Sequence, residues 1–230
     1  MTTLLLALAL GAVAASPATT PRYDKTLAQH ACPFEVKHHT FSAQGQSLEL
    51  AYMDVAPTGA PKGVVLLLHG KNFASDYWAD TIHVLDAKGY RVVVPDQIGF
   101  GRSSKPLDLD YSFHGLATWT AGLLDALAIP EATVVGHSMG GMVATRFALL
   151  FPEKSRGLVL LDPIGLEDWR RKTPYRDVDT WTADNLKATP ESIRTYMSNA
   201  YFAGSWKPAW DELVTVQAGW AVGPDREHMA

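Results

Sequence analysis

The residues best placed to do chemistry are Gly136-His137-Ser138-Met139-Gly140. They follow the apolar pair Val134-Val135 and lead into an apolar stretch, Met142 to Leu150, with helical character. A serine at the tip of a strand, turned sharply into a helix, stands clear of the backbone. The positive end of a helix dipole then lies behind it. Only small residues fit two positions to either side of such a turn, here Gly136 and Gly140. In that context Ser138 reads as a nucleophile; the plain alternative is a tight turn with an idle serine.

A serine that attacks a carbonyl also needs two backbone N–H groups aimed at the developing oxyanion. One belongs to the residue after the nucleophile, Met139. The run Leu68-His69-Gly70-Lys71-Asn72-Phe73 offers the other, at Lys71, with Gly70 allowing close approach. His69, Gly70, Asn72 and His137 are the candidate substrate-binding residues around this pair. A second loop, Pro95-Asp96-Gln97-Ile98-Gly99-Phe100-Gly101-Arg102-Ser103, suits a compact turn held by side chain–backbone hydrogen bonds. Asp96 precedes the nucleophile and reads as structural.

The elements that must position these residues follow from periodicity. Phe34 to Phe41 and Ser47 to Val55 read as two strands joined at Gln44-Gly45-Gln46. Gly63 to Leu68, Tyr90 to Val94, Ala132 to Val135 and Gly157 to Leu161 are short apolar runs, as in strands buried on both faces. Helical spacing covers Trp78 to Lys88, Tyr111 to Ala128 and Met142 to Leu150. Strand and helix in alternation imply an α/β fold with a mostly parallel sheet. The first two strands lack a helix between them and form an antiparallel edge. From residue 163 no buried strand follows, and residues 164–230 hold five of the seven tryptophans. That stretch reads as a helical lid, whose aromatic content favours a small, apolar, ester-like substrate.

Three motifs in this order, His69-Gly70, Asp96-x-x-Gly99-x-Gly101-x-Ser103 and the Gly136 to Gly140 elbow, resemble the α/β-hydrolase fold superfamily. The likeness is to its lidded bacterial hydrolase and acyltransferase type and covers about residues 34–230. It implies a sheet flanked by helices and a catalytic Ser, acid and His in that chain order. It also implies a preformed oxyanion hole, no metal and no cofactor. Serine in the elbow argues against the members that use Asp there.

The chain departs from that pattern after the lid. In the family the acid and the His follow later strands, which are not evident here; the expectation is a truncated chain, weak or inactive as it stands. Of eight histidines, His30, His38 and His39 precede the core, His69 lies in the oxyanion loop, and His83 and His114 lie in helices. His137 adjoins the nucleophile, and such a neighbour points away from it. His228 is left as the candidate base, with Asp162 as the candidate acid, although no strand positions His228. Within enzymes, acyl transfer and amide or carbon–carbon hydrolysis stand beside ester hydrolysis. A ligand-binding pseudoenzyme is the alternative from another class.

Composition bounds the rest. The 230 residues suit one domain with a lid, with an apolar fraction of 47% and a charged fraction of 19%. A net charge of −4 without a basic stripe excludes nucleic acid as the expected partner. Thr3 to Ala15 is apolar and too short to span a bilayer, and Val13-Ala14-Ala15 offers a small-x-small cleavage site. Residues 1–15 thus read as a signal peptide, although Met1-Thr2-Thr3 lacks a basic residue. Residues 16–33 read as a flexible tail, 34–162 as the core and 163–230 as the lid. The expectation is a secreted or periplasmic protein without stable membrane insertion. One cysteine, Cys32, forms no internal disulfide.

Overall fold

The computed structural model describes residues 20–171 and 173–230. The expected signal peptide lies outside these residues.

Strand β1 (Val36–Ala43) and β2 (Gln46–Val55) form a hairpin. Its two turn residues, Gln44 and Gly45, both have positive φ, 50° and 76°. Such a turn matches the twist of the flanking strands. Strands β3 (Val64–Leu68), β4 (Arg91–Pro95), β5 (Ala132–His137) and β6 (Ser155–Leu161) complete one sheet in the order β1-β2-β4-β3-β5-β6. The β2–β4 pair is antiparallel; β3–β4, β3–β5 and β5–β6 are parallel. Helices α1 (Ala79–Ala87), α2 (Phe113–Ala126) and α3 (Met139–Leu150) make the crossovers that parallel strands require.

The apolar strands bury both faces because successive side chains alternate. Leu66, Leu68, Val93 and Val134 meet α2 and α3 through Leu116, Leu123, Leu124, Val143 and Phe147. Val65, Leu67, Val92 and Val94 face the other way, onto Trp78 and Ile82. Each fully buried leucine contributes roughly 1.5–3 kcal/mol by leaving water. Ser112 caps α2, its side chain accepting from Gly115 N–H at 3.0 Å. At the sheet edge, Leu158, Val159 and Leu161 of β6 stay about 40% exposed.

Residues after β6 are helical: α4 (Val178–Asn185), α5 (Pro190–Phe202), α6 (Asp211–Ala221) and α7 (Arg226–Met229). Helix α4 buries no residue. Ile193 and Met197 of α5 and Val214 and Ala218 of α6 pack around Phe73, in the loop after β3.

Residues 20–33 depart from the expected flexible tail. Tyr23 and Leu27 are buried against Val216, Trp220 and Ala74. Tyr23 N–H donates to the Gly219 carbonyl at 3.2 Å, and Trp220 Nε1–H to the Asp24 carbonyl at 2.9 Å. A Cβ at Gly223 would stand 1.9 Å from Tyr23 O, so only glycine lets the segment lie this close to α6.

Candidate active site

The site is built where β5 turns into α3. Ser138 has φ 53° and ψ −116°, a conformation that costs a non-glycine residue about 1–3 kcal/mol. Its surroundings hold it there. Ser138 N–H donates to the Leu161 carbonyl at 3.1 Å, and its own carbonyl accepts from Gly141 and Ile164 at 2.9 and 3.2 Å. A Cβ at Gly136 would stand 2.2 Å from the Gly140 carbonyl oxygen, and one at Gly140 2.2 Å from the Leu68 carbonyl oxygen. Both elbow glycines are therefore required by backbone on backbone contact.

Gly70 brings the loop after β3 against the elbow. A Cβ there would lie 3.2 Å from His137 Nδ1 and 3.3 Å from Ser138 Cβ. Lys71 follows directly. Among the described residues its N–H meets no backbone or side-chain acceptor. Met139 opens α3, where first-turn amides have no partner within the helix. Lys71 N–H and Met139 N–H thus meet no acceptor among the described residues, one directly after Gly70 and the other directly after Ser138.

His69 corrects an expectation, since it cannot reach a substrate. It is fully buried, Nδ1–H donates to the Gly70 carbonyl at 2.9 Å, and Nε2 accepts from Gln97 N–H at 2.9 Å. Burial pushes this ring below the usual histidine range, and the neutral tautomer is fixed by the two bonds. Asp96 is structural, accepting from Ser75 N–H at 2.6 Å and Arg102 N–H at 2.9 Å.

His137 points into a ring cluster of Phe73, Tyr77, Trp78 and Tyr201. Its Nδ1 is 3.0 Å from the Tyr77 hydroxyl, a bond that ties the elbow to the segment after β3. Burial holds His137 below the usual range and drives Tyr77 ionisation far upward, so both stay neutral. Asn72 Nδ2–H donates to Tyr201 Oη at 3.0 Å, joining the same loop to α5.

The candidate acid and base are not brought together. Asp162, one residue past β6, is exposed with φ 40°. His228 Nε2–H donates to the Lys105 carbonyl at 2.7 Å. Among the described residues, no hydrogen bond joins His228 to Ser138 or to Asp162. His228 does share with Met139 a cavity of about 530 Å³, whose apolar wall includes Phe100, Pro106, Leu107 and Phe113. Tyr77, Tyr201 and Gln217 were not legible as site residues, because they approach the elbow and its loop from distant parts of the chain.

The chain matches the alpha/beta hydrolase fold over residues 63–205. A probable hydrolytic enzyme of Pseudomonas aeruginosa PAO1 of known structure is 46% identical, with a TM-score of 0.88. The match covers 91% of this chain and 68% of that one. A 2-hydroxymuconate semialdehyde hydrolase of Pseudomonas sp. (strain CF600) is 38% identical over 104 residues, 44% of this chain and 37% of its own length. Lipase 3 of Moraxella sp. (strain TA144) is 35% identical over 141 residues, 61% of this chain and 42% of its own. The chain therefore spans less than half the length of these two relatives. With a family match across more than half its residues, and the elbow geometry that goes with it, the chain belongs to the alpha/beta hydrolase fold family.

Proposed function

We propose that this chain carries the nucleophile and oxyanion hole of a serine hydrolase acting on an ester-like bond. The observation that carries the reading is Ser138 at φ 53°, locked by Gly136 and Gly140, with the free N–H groups of Lys71 and Met139 directly after Gly70 and Ser138. Ser138 Oγ attacks the carbonyl carbon, a C–O bond forms, and the carbonyl oxygen becomes the anion that the two N–H groups hold. Oγ gives its proton to water as it attacks, collapse breaks the bond to the leaving oxygen, which takes a proton from water and departs as the alcohol, and water then cleaves the acyl-enzyme to the carboxylic acid and restores the Ser138 hydroxyl. The apolar cavity beside Met139 supports an apolar group on the substrate. Residues 163–230 serve as a lid in this reading, since α5 and α6 pack on the oxyanion loop through Phe73. Carbon–carbon hydrolysis is the second reading, favoured by the likeness to the semialdehyde hydrolase.

No histidine is hydrogen-bonded to Ser138 among the described residues, and in this reading slow turnover by these 230 residues is the expected outcome. Labelling with a fluorophosphonate tests the nucleophile directly. Wild-type chain should label at Ser138 and Ser138→Ala should not. Labelling that persists at the same level in Ser138→Ala would remove the assignment, and a wild-type chain that binds the probe reversibly but never forms the adduct at Ser138, even on prolonged incubation, would leave a ligand-binding protein.

A further inference from the structure

Gly70 and Lys71 share one planar peptide unit, so the direction of the Lys71 N–H follows from where the Gly70 carbonyl points. That carbonyl accepts from His69 Nδ1–H at 2.9 Å and from Phe73 N–H at 3.2 Å. Both donors belong to the same short segment, and neither ties it to the elbow. A Cβ on Gly70 would lie 3.2 Å from His137 Nδ1, so the segment and the elbow meet closely there. Steric contact sets the least distance between them and nothing more. An attractive link is needed to keep them from moving apart.

Tyr77 stands at that contact. Its hydroxyl oxygen is 3.0 Å from His137 Nδ1. Gly70 N–H is directed at the same oxygen, a pull that opposes the effect of burial on this phenol. A backbone N–H can only donate, so the oxygen accepts from Gly70 and its single proton is left for His137 Nδ1. This order of bonds requires the His137 tautomer with a bare Nδ1 and the proton on Nε2. The phenol ring is held in place as well. It stacks on Phe73 with centroids 4.6 Å apart and packs against Trp78 at 4.7 Å. Tyr77 thus bridges the residue before Lys71 to the residue before Ser138.

We propose that Tyr77 is a positioning residue for acylation: its hydroxyl, accepting from Gly70 and donating to His137, keeps the Lys71 N–H in register with the Met139 N–H. The inference rests on the reading of Ser138, Lys71 and Met139 given above. Tyr77 acts through these donors and touches no reacting atom. Its effect falls on the transition state, because the oxyanion that the donors hold forms only there.

Tyr77→Phe removes one oxygen and keeps the ring that stacks on Phe73. Phosphonylation of the 230-residue chain by a fluorophosphonate, followed over a range of probe concentrations, separates the saturating rate from the apparent affinity. Loss of a whole oxyanion donor costs about 10²–10³-fold, and a displaced donor should cost part of that. Tyr77→Phe should therefore lower the saturating rate by about tenfold or more and leave the apparent affinity unchanged. His137→Phe cuts the same bridge from its other end, and the double variant should be no slower than the slower single one. Labelling of Tyr77→Phe at the wild-type rate would overturn the proposal. So would a loss confined to affinity, or single losses that multiply in the double variant. Nitrogen NMR of labelled histidine and amide exchange read the bridge without any reaction at Ser138. The wild type should show His137 protonated at Nε2, with Nδ1 as acceptor. Tyr77→Phe should move the Nδ1 resonance and speed exchange of the Gly70 amide. A chain that never labels yet shows these signals removes the reading of Ser138 and supports the bridge. His137 protonated at Nδ1, or a Gly70 amide that exchanges equally in both proteins, removes the bridge whatever Ser138 does.

Discussion

Ser138 shows how much a local pattern can carry. Its φ of 53°, its two required glycines and its place before α3 all follow from five consecutive residues. The partners that hold the site are a different matter. Tyr77 reaches His137 across 60 residues and Gln217 reaches Asn72 across 145, and no spacing in the sequence announces either pair. His228 marks the same limit from the other side. Chain order alone suggested it as base, yet its Nε2 is occupied by the Lys105 carbonyl. A general base contributes about 10²–10⁴-fold when it is held at the nucleophile. His228→Ala should therefore leave hydrolysis of an activated ester by this chain essentially unchanged. The residual rate, owed to the oxyanion hole, should still exceed that of water by about 10³-fold or more. Steady-state kinetics on p-nitrophenyl acetate would decide; a loss of about a hundredfold would make His228 the base after all.

Among elements, the loop after β4 is as structured as the strands that flank it. Lys105 Nζ donates to the carbonyls of Phe100, Gly101 and Ser103, at 3.3, 2.6 and 2.9 Å. Burial lowers this lysine from 10.5 to about 8, partly offset by the charge of Asp96. The unfolded chain keeps the proton up to its ordinary value, while the folded chain releases it earlier. Between about pH 8 and 10.5 the unfolded state thus binds more protons, and this lysine's contribution to stability rises with pH. Below that window the burial cost is fully present. The stability difference between wild type and Lys105→Met should shift in favour of the wild type by about 3 kcal/mol on crossing it, on the scale of 1.36 kcal/mol per pH unit. Urea unfolding of both proteins at several pH values reads this difference, and a flat profile would contradict it. The strands themselves were legible because Val65 and Leu67 alternate with Leu66 and Leu68 between two helical layers. Helix α3 starts three residues earlier than its apolar spacing suggests, at Met139, because the elbow serine itself precedes the first turn.

At the scale of the molecule, the segment before β1 joins core and helical segment. It reads as a tail because Ser, Pro, Thr and Ala carry no periodicity, and an irregular segment can dock without any. Tyr23 and Leu27 supply the apolar contacts, against Val216 and Trp220 of α6 and Ala74 of the loop after β3. Lys25 N–H donates to Asp225 Oδ2 at 2.8 Å, beside α7. His30 Nε2 lies 2.7 Å from Asp76 Oδ2, and the same carboxylate accepts from Arg102 at 3.1 Å, beside β4. The segment thus touches the loops after β3 and β4 and the helices that cover them. Truncating its buried anchor should loosen all of these together. Leu27 is 1% exposed, and a buried Leu→Ala change costs about 2–5 kcal/mol through lost burial and the cavity left behind. Leu27→Ala should therefore lower unfolding stability by that amount and speed proteolysis within residues 163–230 before the sheet is cut. A change at the neighbouring exposed position, Ala28→Ser, should do neither. Urea unfolding paired with limited proteolysis and mass mapping distinguishes the cases. If Leu27→Ala and Ala28→Ser match the wild type in both assays, residues 20–33 are a free tail in solution and the docking contributes nothing.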